Sequence, residues 1–321
     1  MKIENSPTTH HTFNGFSFYL KRDDQLHPTF SGNKARKFRA LLDGFYPNIT
    51  TIIGYGSPQA NSLYSLAALA KLRGWKCEFY VNHIASFIKE KPTGNYAAAL
   101  ALGAKVIDIS ESGLDLPTNR YISDIRQPDQ ACLVVPEGGR CALAEYGVTG
   151  LAKEIIQWKE QQKISNLVIA LPSGTGTTAF YLHRYLKNYD IEVLTCPCVG
   201  GETYLTEQFK ELNCDSSIEI TADISPHDYP TILTLKQLNL NKKHHFGKLY
   251  HQDYLIWQQL NQQTTVEFEL LYDPLMWRCL MEWLPNHQDK TLLYIHQGGL
   301  LGNATMLPRY QRKYPNLNTE R

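Results

Sequence analysis

Thr50 to Gly56 reads TTIIGYG, Asn61 to Arg73 reads NSLYSLAALAKLR, Gly74 follows, and Lys76 to Asn82 reads KCEFYVN. A β-branched run, a helical run and a second apolar run in that order are the pattern of a βαβ unit. Leu63, Leu66, Ala67 and Ala70 fall on one helical stripe, and Gly74 stops the helix. The pattern then repeats: Gly94 to Leu102 is an Ala-rich helix closed by Gly103, and Ala104 to Ser110 (AKVIDIS) is a further strand. A mostly parallel sheet is expected, because parallel neighbours need crossover connections between them.

Outward from this unit the text changes. Glu111 to Gln130 is richer in Ser, Pro, Asp and Asn and reads as an excursion. Cys132 to Pro136 and Leu167 to Leu171 resume as buried strands, so a second sheet is expected to begin there. Leu292 to His296 (LLYIH) is a late strand ending at Gly298 and Gly299, while residues 214 to 253 have weak periodicity and receive no assignment. At roughly 150 residues per domain, 321 residues make about two domains or one large α/β unit.

The apolar fraction of 43% and charged fraction of 20% are those of an ordinary globular chain. Lys plus Arg is 32 against 31 for Asp plus Glu, so no general field favours nucleic acid or an anionic membrane, and a small-molecule partner is expected instead. No apolar run approaches the ~18 residues of a membrane span, and MKIENSPTTHHTFNG lacks the basic start and apolar middle of a secretory signal; a cytoplasmic protein is expected. Cys77, Cys132, Cys141, Cys196, Cys198, Cys214 and Cys279 are an odd, scattered set without metal-ligand spacing. They read as reduced, buried thiols. Cys196 and Cys198 read as packing residues, because a CxC ring is strained.

Two stretches carry chemistry. Pro172 to Thr178 (PSGTGTT) follows the apolar strand and precedes the helical AFYLHRYL. A strand, a Gly and hydroxyl loop and a helix start place backbone N–H groups and hydroxyls around a phosphate. No Walker lysine follows Gly176. Residues 174 to 179 (GTGTTA) match the dinucleotide pattern, yet the following strand, Ile191 to Thr195, has Glu192 at the wrong end to bind a ribose. Ser31 to Lys37 (SGNKARK) is the second stretch. A partly desolvated lysine near other cations becomes a usable amine nucleophile or base, as a Schiff base with an aldehyde requires; Arg36 and Lys37 are expected to supply that field.

SGNKARK after KRDD, the loop and helix around Gln59 to Asn61, GNYAAALALGA at 94 to 104, the GTGTT loop and LYIHQGG near the end occur together. In order and approximate spacing this resembles the 1-aminocyclopropane-1-carboxylate deaminase and D-cysteine desulfhydrase family, from about Tyr19 to Gly302. The resemblance implies a pyridoxal 5'-phosphate enzyme of fold type II, the tryptophan synthase β-like class: two three-layer α/β domains with mostly parallel twisted sheets. It implies a larger domain of residues 1–48 and 131–321, a smaller inserted domain of 49–130, and a homodimer. Lys34 would be the catalytic lysine bonded to the cofactor. Asn61 would meet the pyridoxal 3-oxygen, Gly174, Thr175, Gly176, Thr177 and Thr178 would hold the phosphate, and Gln297 would lie by the ring nitrogen. Ser57, Gln59, Asn61 and Ser62 would bind the substrate, and no metal is implied.

The departures are informative. Ala60 stands where the family has a serine, Phe246 and Met276 where it has tyrosines, Trp277 where the deaminases have an acidic partner for the ring nitrogen, and Gln297 where desulfhydrase-like members have threonine. Three lost hydroxyls argue against cyclopropane ring opening. Tyr55, Tyr250, Tyr272 and His296 are candidates for a replacement acid or base. The reading is therefore a lyase or deaminase eliminating from a small amino acid such as D-cysteine, to give ammonia, a keto acid and the leaving group. A β-replacement synthase, a racemase or a weakly catalytic cofactor carrier is the alternative.

Overall fold

The computed structural model describes residues 5–215 and 235–318. The chain opens with the hairpin strands β1 (Thr8–Phe13) and β2 (Phe16–Lys21), followed by the short helices α1 (Gly32–Lys37) and α2 (Arg39–Asp43). Next come β3 (Thr51–Tyr55), α3 (Asn61–Arg73), β4 (Lys76–Val81), α4 (Ser86–Glu90), α5 (Gly94–Ala101), β5 (Lys105–Asp108), α6 (Thr118–Tyr121) and β6 (Cys132–Val134). The rest is α7 (Ala144–Gln161), β7 (Leu167–Ser173), α8 (Thr177–Leu186), β8 (Glu192–Pro197), α9 (Gly201–Asp215), β9 (Lys236–Gln237), α10 (His251–Thr264), α11 (Asp273–Trp283), β10 (Thr291–Ile295) and α12 (Asn303–Lys313).

The strands form two sheets. One has the order β1-β2-β10-β7-β8-β9, parallel except for the β1–β2 hairpin; the other is all-parallel with the order β5-β4-β3-β6. Burial explains the layers. Every residue of β7 is buried, and alternate side chains enter different cores. Val168 and Ala170 pack with Met276, Trp277 and Leu280 of α11, whereas Leu167, Ile169 and Leu171 pack with Leu151 of α7, Leu182 of α8 and Phe209 of α9. Both faces of the sheet are thus covered by helices. In the smaller sheet Ile52, Phe79 and Val81 pack on Leu63, Leu66 and Ala67 of α3.

The βαβ reading of residues 50 to 110 matches the structure closely, down to the left-handed Gly74 that ends α3 at φ 71°. One expectation is corrected: Cys132 to Val134 pairs with Thr51 to Ile53 and completes the smaller sheet, so that sheet extends past residue 130 and the larger one resumes only at Leu167. A three-residue strand carries no local information about which sheet receives it. The thiols also divide: Cys77, Cys196, Cys198 and Cys279 are buried, but Cys132 and Cys141 are half-buried and Cys214 is exposed. Part of the unassigned 214–253 stretch, residues 216–234, lies outside the described residues. Among the described residues no helix is long and apolar enough to cross a membrane.

Candidate active site

The loop that leaves the carboxyl end of β10 lies against the start of α1 and reaches Pro172 near the carboxyl end of β7, as expected for ligand sites in open α/β sheets. Gly32 starts α1 at φ 69°, and a side-chain carbon there would stand 2.1 Å from the Gln297 carbonyl oxygen. Only glycine allows both. The close approach lets Asn33 donate its backbone N–H to Gln297 O (3.0 Å) and its side-chain Nδ2 to Gln297 Oε1 (2.7 Å). Gln297 Nε2 donates in turn to Pro172 O at 2.6 Å, at the start of the phosphate loop. Gln297 is therefore a clamp that fixes α1, and Lys34 with it, relative to that loop.

Lys34 is half-buried and donates to Asn33 Oδ1 at 3.3 Å. Desolvation lowers its amine from the ordinary 10.5 to about 8. The neighbouring basic residues play different parts from those expected. Arg36 turns away into Asp23 (Nη2 to Oδ1, 2.8 Å) and Glu154 (Nη1 to Oε1, 2.6 Å), two carboxylates that neutralise it and hold its own pKa up against burial. The field expected from Arg36 is thus absent at Lys34, whose shift comes from burial. Lys37 is 3% exposed and donates to the carbonyl of Gly138. Burial, with the Lys34 charge beside it, pushes its amine well down. A carbon added on Gly138 would stand 2.9 Å from Thr175 Cγ2, which puts Lys37 next to the phosphate loop.

In that loop Gly176 has φ 70° and caps α8, and a side chain there would run into Leu205 and Phe209. Thr175 Oγ1 and Thr177 Oγ1 are 3.1 Å apart, and Thr178 Oγ1 is buried without a hydrogen-bond partner. Ser173 faces the core instead, at 2.6 Å from Thr195 Oγ1. A cradle with a helix N-terminus, an orphaned hydroxyl and a buried amine beside it that can take up a proton fits a dianion. On the other wall, Asn61 starts α3; its Oδ1 accepts from Asn95 Nδ2 at 2.7 Å, and its Nδ2 faces Gly299. Ser57 is exposed with its Oγ accepting the Gln59 N–H at 3.2 Å, Gln59 Oε1 is buried without a partner, and Ser62 is buried.

A model of the family described as pyridoxal-phosphate dependent enzyme matches residues 3–232. The chain belongs to that family. This pyridoxal-phosphate enzyme is 27% identical over 178 residues to the bifunctional D-cysteine desulfhydrase/1-aminocyclopropane-1-carboxylate deaminase of Arabidopsis thaliana, covering 52% of this chain and 44% of the relative. It is 29% identical over 171 residues to the 1-aminocyclopropane-1-carboxylate deaminase of Burkholderia lata, half of each chain. The chain spans about half the length of these curated relatives. A solved ACC deaminase homologue superimposes with a TM-score of 0.73 at 19% identity, covering 96% of this chain and 94% of the other, which establishes the fold as that of type II pyridoxal-phosphate enzymes.

The candidate acids and bases separate. His296 is fully buried, with Nε2 bonded to Glu267 O (2.8 Å) and Nδ1 accepting the Gly298 N–H (3.2 Å), so it is a structural residue. Tyr250 Oη accepts the His245 N–H at 3.0 Å, and Tyr55 packs beside Ile53 and Tyr80. Tyr272 is the one beside the cradle: its Oη stands 3.5 Å from where a side-chain carbon on Gly174 would be, and burial pushes its phenol up, so it stays protonated. Met276 and Trp277 are fully buried in the hydrophobic core with Phe18 and Tyr294. Sequence reasoning missed the part Lys37 plays and missed Glu269, a carboxyl buried behind Tyr272 and pushed up to about 8 by desolvation and by Asp273. Apart from the run of basic residues around Lys37, no local signal marks either one.

Proposed function

We propose that this chain is a lyase that removes ammonia and a β-leaving group from a small amino acid, D-cysteine or a similarly β-substituted one, to leave an α-keto acid. The observation that carries this is the pairing of a desolvated Lys34 amine with a separate anion cradle, clamped together through Gln297. When bound, pyridoxal phosphate supplies an aldehyde for the amine and a ring that delocalises a carbanion. Lys34 is the amine, and near pH 8 a sizeable fraction is neutral, the form able to bond a carbonyl or take a proton. Lys37, the Gly174 to Thr178 loop and the unpartnered Thr178 hydroxyl hold the phosphate. Asn61 would present its amide to the ring oxygen, whereas the Gln297 amide, expected beside the ring nitrogen, is engaged at both ends by Asn33 and Pro172 and would act by holding the two walls of the site together. Ser57, Gln59, Ser62 and the first N–H groups of α3 make the subsite for a substrate carboxylate. Tyr272 keeps a proton over Gly174 and stands in for the phenol lost at Met276.

The curated relatives named for D-cysteine desulfhydrase and 1-aminocyclopropane-1-carboxylate deaminase activity support the class, and the lost hydroxyls at 60, 246 and 276 favour elimination over ring opening. The test is the visible absorption of protein incubated with pyridoxal phosphate, for wild type and Lys34→Ala, before and after D-cysteine, L-cysteine, D-serine and 1-aminocyclopropane-1-carboxylate. A Lys34-dependent band that D-cysteine shifts, with sulfide released, is expected. A Lys34-dependent band that only the cyclopropane acid moves would overturn the substrate reading, and no band in the wild type would overturn the site.

A further inference from the structure

Glu269 sits in the turn before α11, 3% exposed, and its Oε2 accepts the backbone N–H groups of Leu271 (2.8 Å) and Tyr272 (2.6 Å). Oε1 has a different outlook. It stands 3.1 Å from where a side-chain carbon on Gly302 would be, and Asn61 Oδ1 stands 3.9 Å from the same point. Carboxyl and carboxamide therefore border one gap, open because residue 302 has no side chain. Asn61 Oδ1 already accepts from Asn95, while its Nδ2 stands 2.5 Å from where a carbon on Gly299 would be, so the amide has its oxygen toward Asn95 and Glu269 and its donor toward the Gly298-Gly299 turn.

The surroundings bear on the charge of Glu269. Asp273 accepts the backbone N–H of Glu269 (2.9 Å) and the Tyr294 hydroxyl (2.6 Å). The other titratable groups of this region are Tyr272 ahead of α11, Glu267 in the same turn, His296 after β10, and Asp24, which is paired with Arg22. From α3, α5 and α12 come only the neutral Asn61, Asn95 and Asn303. Among the described residues no cation pairs with Glu269. Two buried carboxyls this close do not both ionise. Each carboxyl accepts two donors, and burial with the Asp273 charge beside it pushes Glu269 up to about 8, so Glu269 carries the proton below that pH while its Oε2 is held by the Leu271 and Tyr272 N–H groups and its Oε1 is left facing the gap.

We propose that Glu269 is a positioning residue of the cofactor site, presenting a protonated Oε1 to Asn61 Oδ1 and so holding the Asn61 Nδ2 donor toward the ring oxygen of the bound cofactor. This rests on the pyridoxal phosphate reading above. Pyridoxine 5'-phosphate keeps the phosphate and the ring oxygen but has an alcohol in place of the aldehyde, so it tests the contact without bonding to Lys34. Its dissociation constant is measured by fluorescence for wild type, Glu269→Gln and Asn61→Ala, from about one unit below to about one unit above pH 8. Gln holds the same shape and stays neutral, and ionisations of the ligand cancel in the ratio of variant to wild type.

Wild-type binding should weaken by about tenfold relative to Glu269→Gln as Glu269 ionises, the loss of one good hydrogen bond. Asn61→Ala should show none of this break, and should carry the test alone if Glu269→Gln does not fold. A wild-type to Glu269→Gln ratio that stays constant across the range overturns the proposal, as does a break that persists in Asn61→Ala. Absence of binding by pyridoxal phosphate and pyridoxine phosphate alike would instead strike the cofactor reading itself.

Discussion

Replacing Lys37 with methionine should strengthen the cofactor-free protein and weaken its hold on the cofactor, two effects of opposite sign from one atom. Methionine keeps most of the apolar stem, so the packing near Gly138 is preserved and the amine is what is lost. In the free protein that group is 3% exposed and has one acceptor, the Gly138 carbonyl, for its donors. An incompletely satisfied buried polar group costs about 1–3 kcal/mol, so removing it should raise the melting temperature by several degrees for a chain of this size. With a phosphate dianion beside Thr175 the same group makes a charge-assisted hydrogen bond of about 1.5–3 kcal/mol, so the variant's dissociation constant for pyridoxal phosphate should rise by about 10- to 100-fold. Thermal melts without cofactor and equilibrium titrations with it measure the two quantities independently. Unchanged affinity, or a free protein that melts lower than wild type, would refute the placement of Lys37 at the phosphate.

Gly32→Ala should lower stability by about 1–3 kcal/mol from the left-handed backbone alone, with more from the collision with Gln297 O, and should reduce the cofactor band; differential scanning calorimetry and absorbance check both. Arg36→Ala leaves the buried Asp23 without its guanidinium partner and Glu154 with Lys21 alone, a loss of about 3–5 kcal/mol in a denaturant titration, with the Lys34 pKa little changed. For Lys34 itself the folded pKa of about 8 lies below the unfolded 10.5, so the unfolded chain binds more protons between them and the cofactor-free protein gains stability as pH rises through that window. Lys34→Ala should remove a slope of up to about 1.4 kcal/mol per pH unit there, seen as a flatter melting-temperature profile. Tyr272→Phe should lower turnover by about 100-fold or more while leaving cofactor affinity within about threefold, read by stopped-flow and by titration.

The βαβ half of the fold was legible because its signals are local. The stripe on α3 and the stop at Gly74 need no knowledge of the rest of the chain, and both stand as read. The glycines of the 174–178 loop and of SGNKARK were legible for a similar reason, since backbone that must approach another chain segment cannot carry a side chain. What failed was partner choice. Arg36 and Lys37 are adjacent and both basic, and only Asp23, Glu154 and Gly138, the last two more than 100 residues away, decide that one is a strut and the other faces the cradle. Cys132 to Val134 failed for the same reason, because three apolar residues do not specify the edge they join.

The polar groups that face the cleft share one physical character, which only the structure shows: each is electrostatically unfinished in the free protein. Lys37 lacks a counterion, Thr178 Oγ1 lacks a partner, and Lys34 is held with a depressed pKa by burial alone. The salt-bridged knot of Arg36, Asp23, Glu154 and Lys21 beneath α1 is, by contrast, complete. That contrast separates scaffold from site. A finished network stabilises the free chain and is indifferent to ligand, whereas an unfinished one costs stability until a ligand of matching charge arrives. Binding to the folded state alone adds stability as RT ln(1 + [L]/Kd). The strain stored at Lys34, Lys37 and Thr178 is thus returned when an aldehyde-bearing dianion fills the cleft, and the rigid knot below keeps those three groups in place while they wait for it.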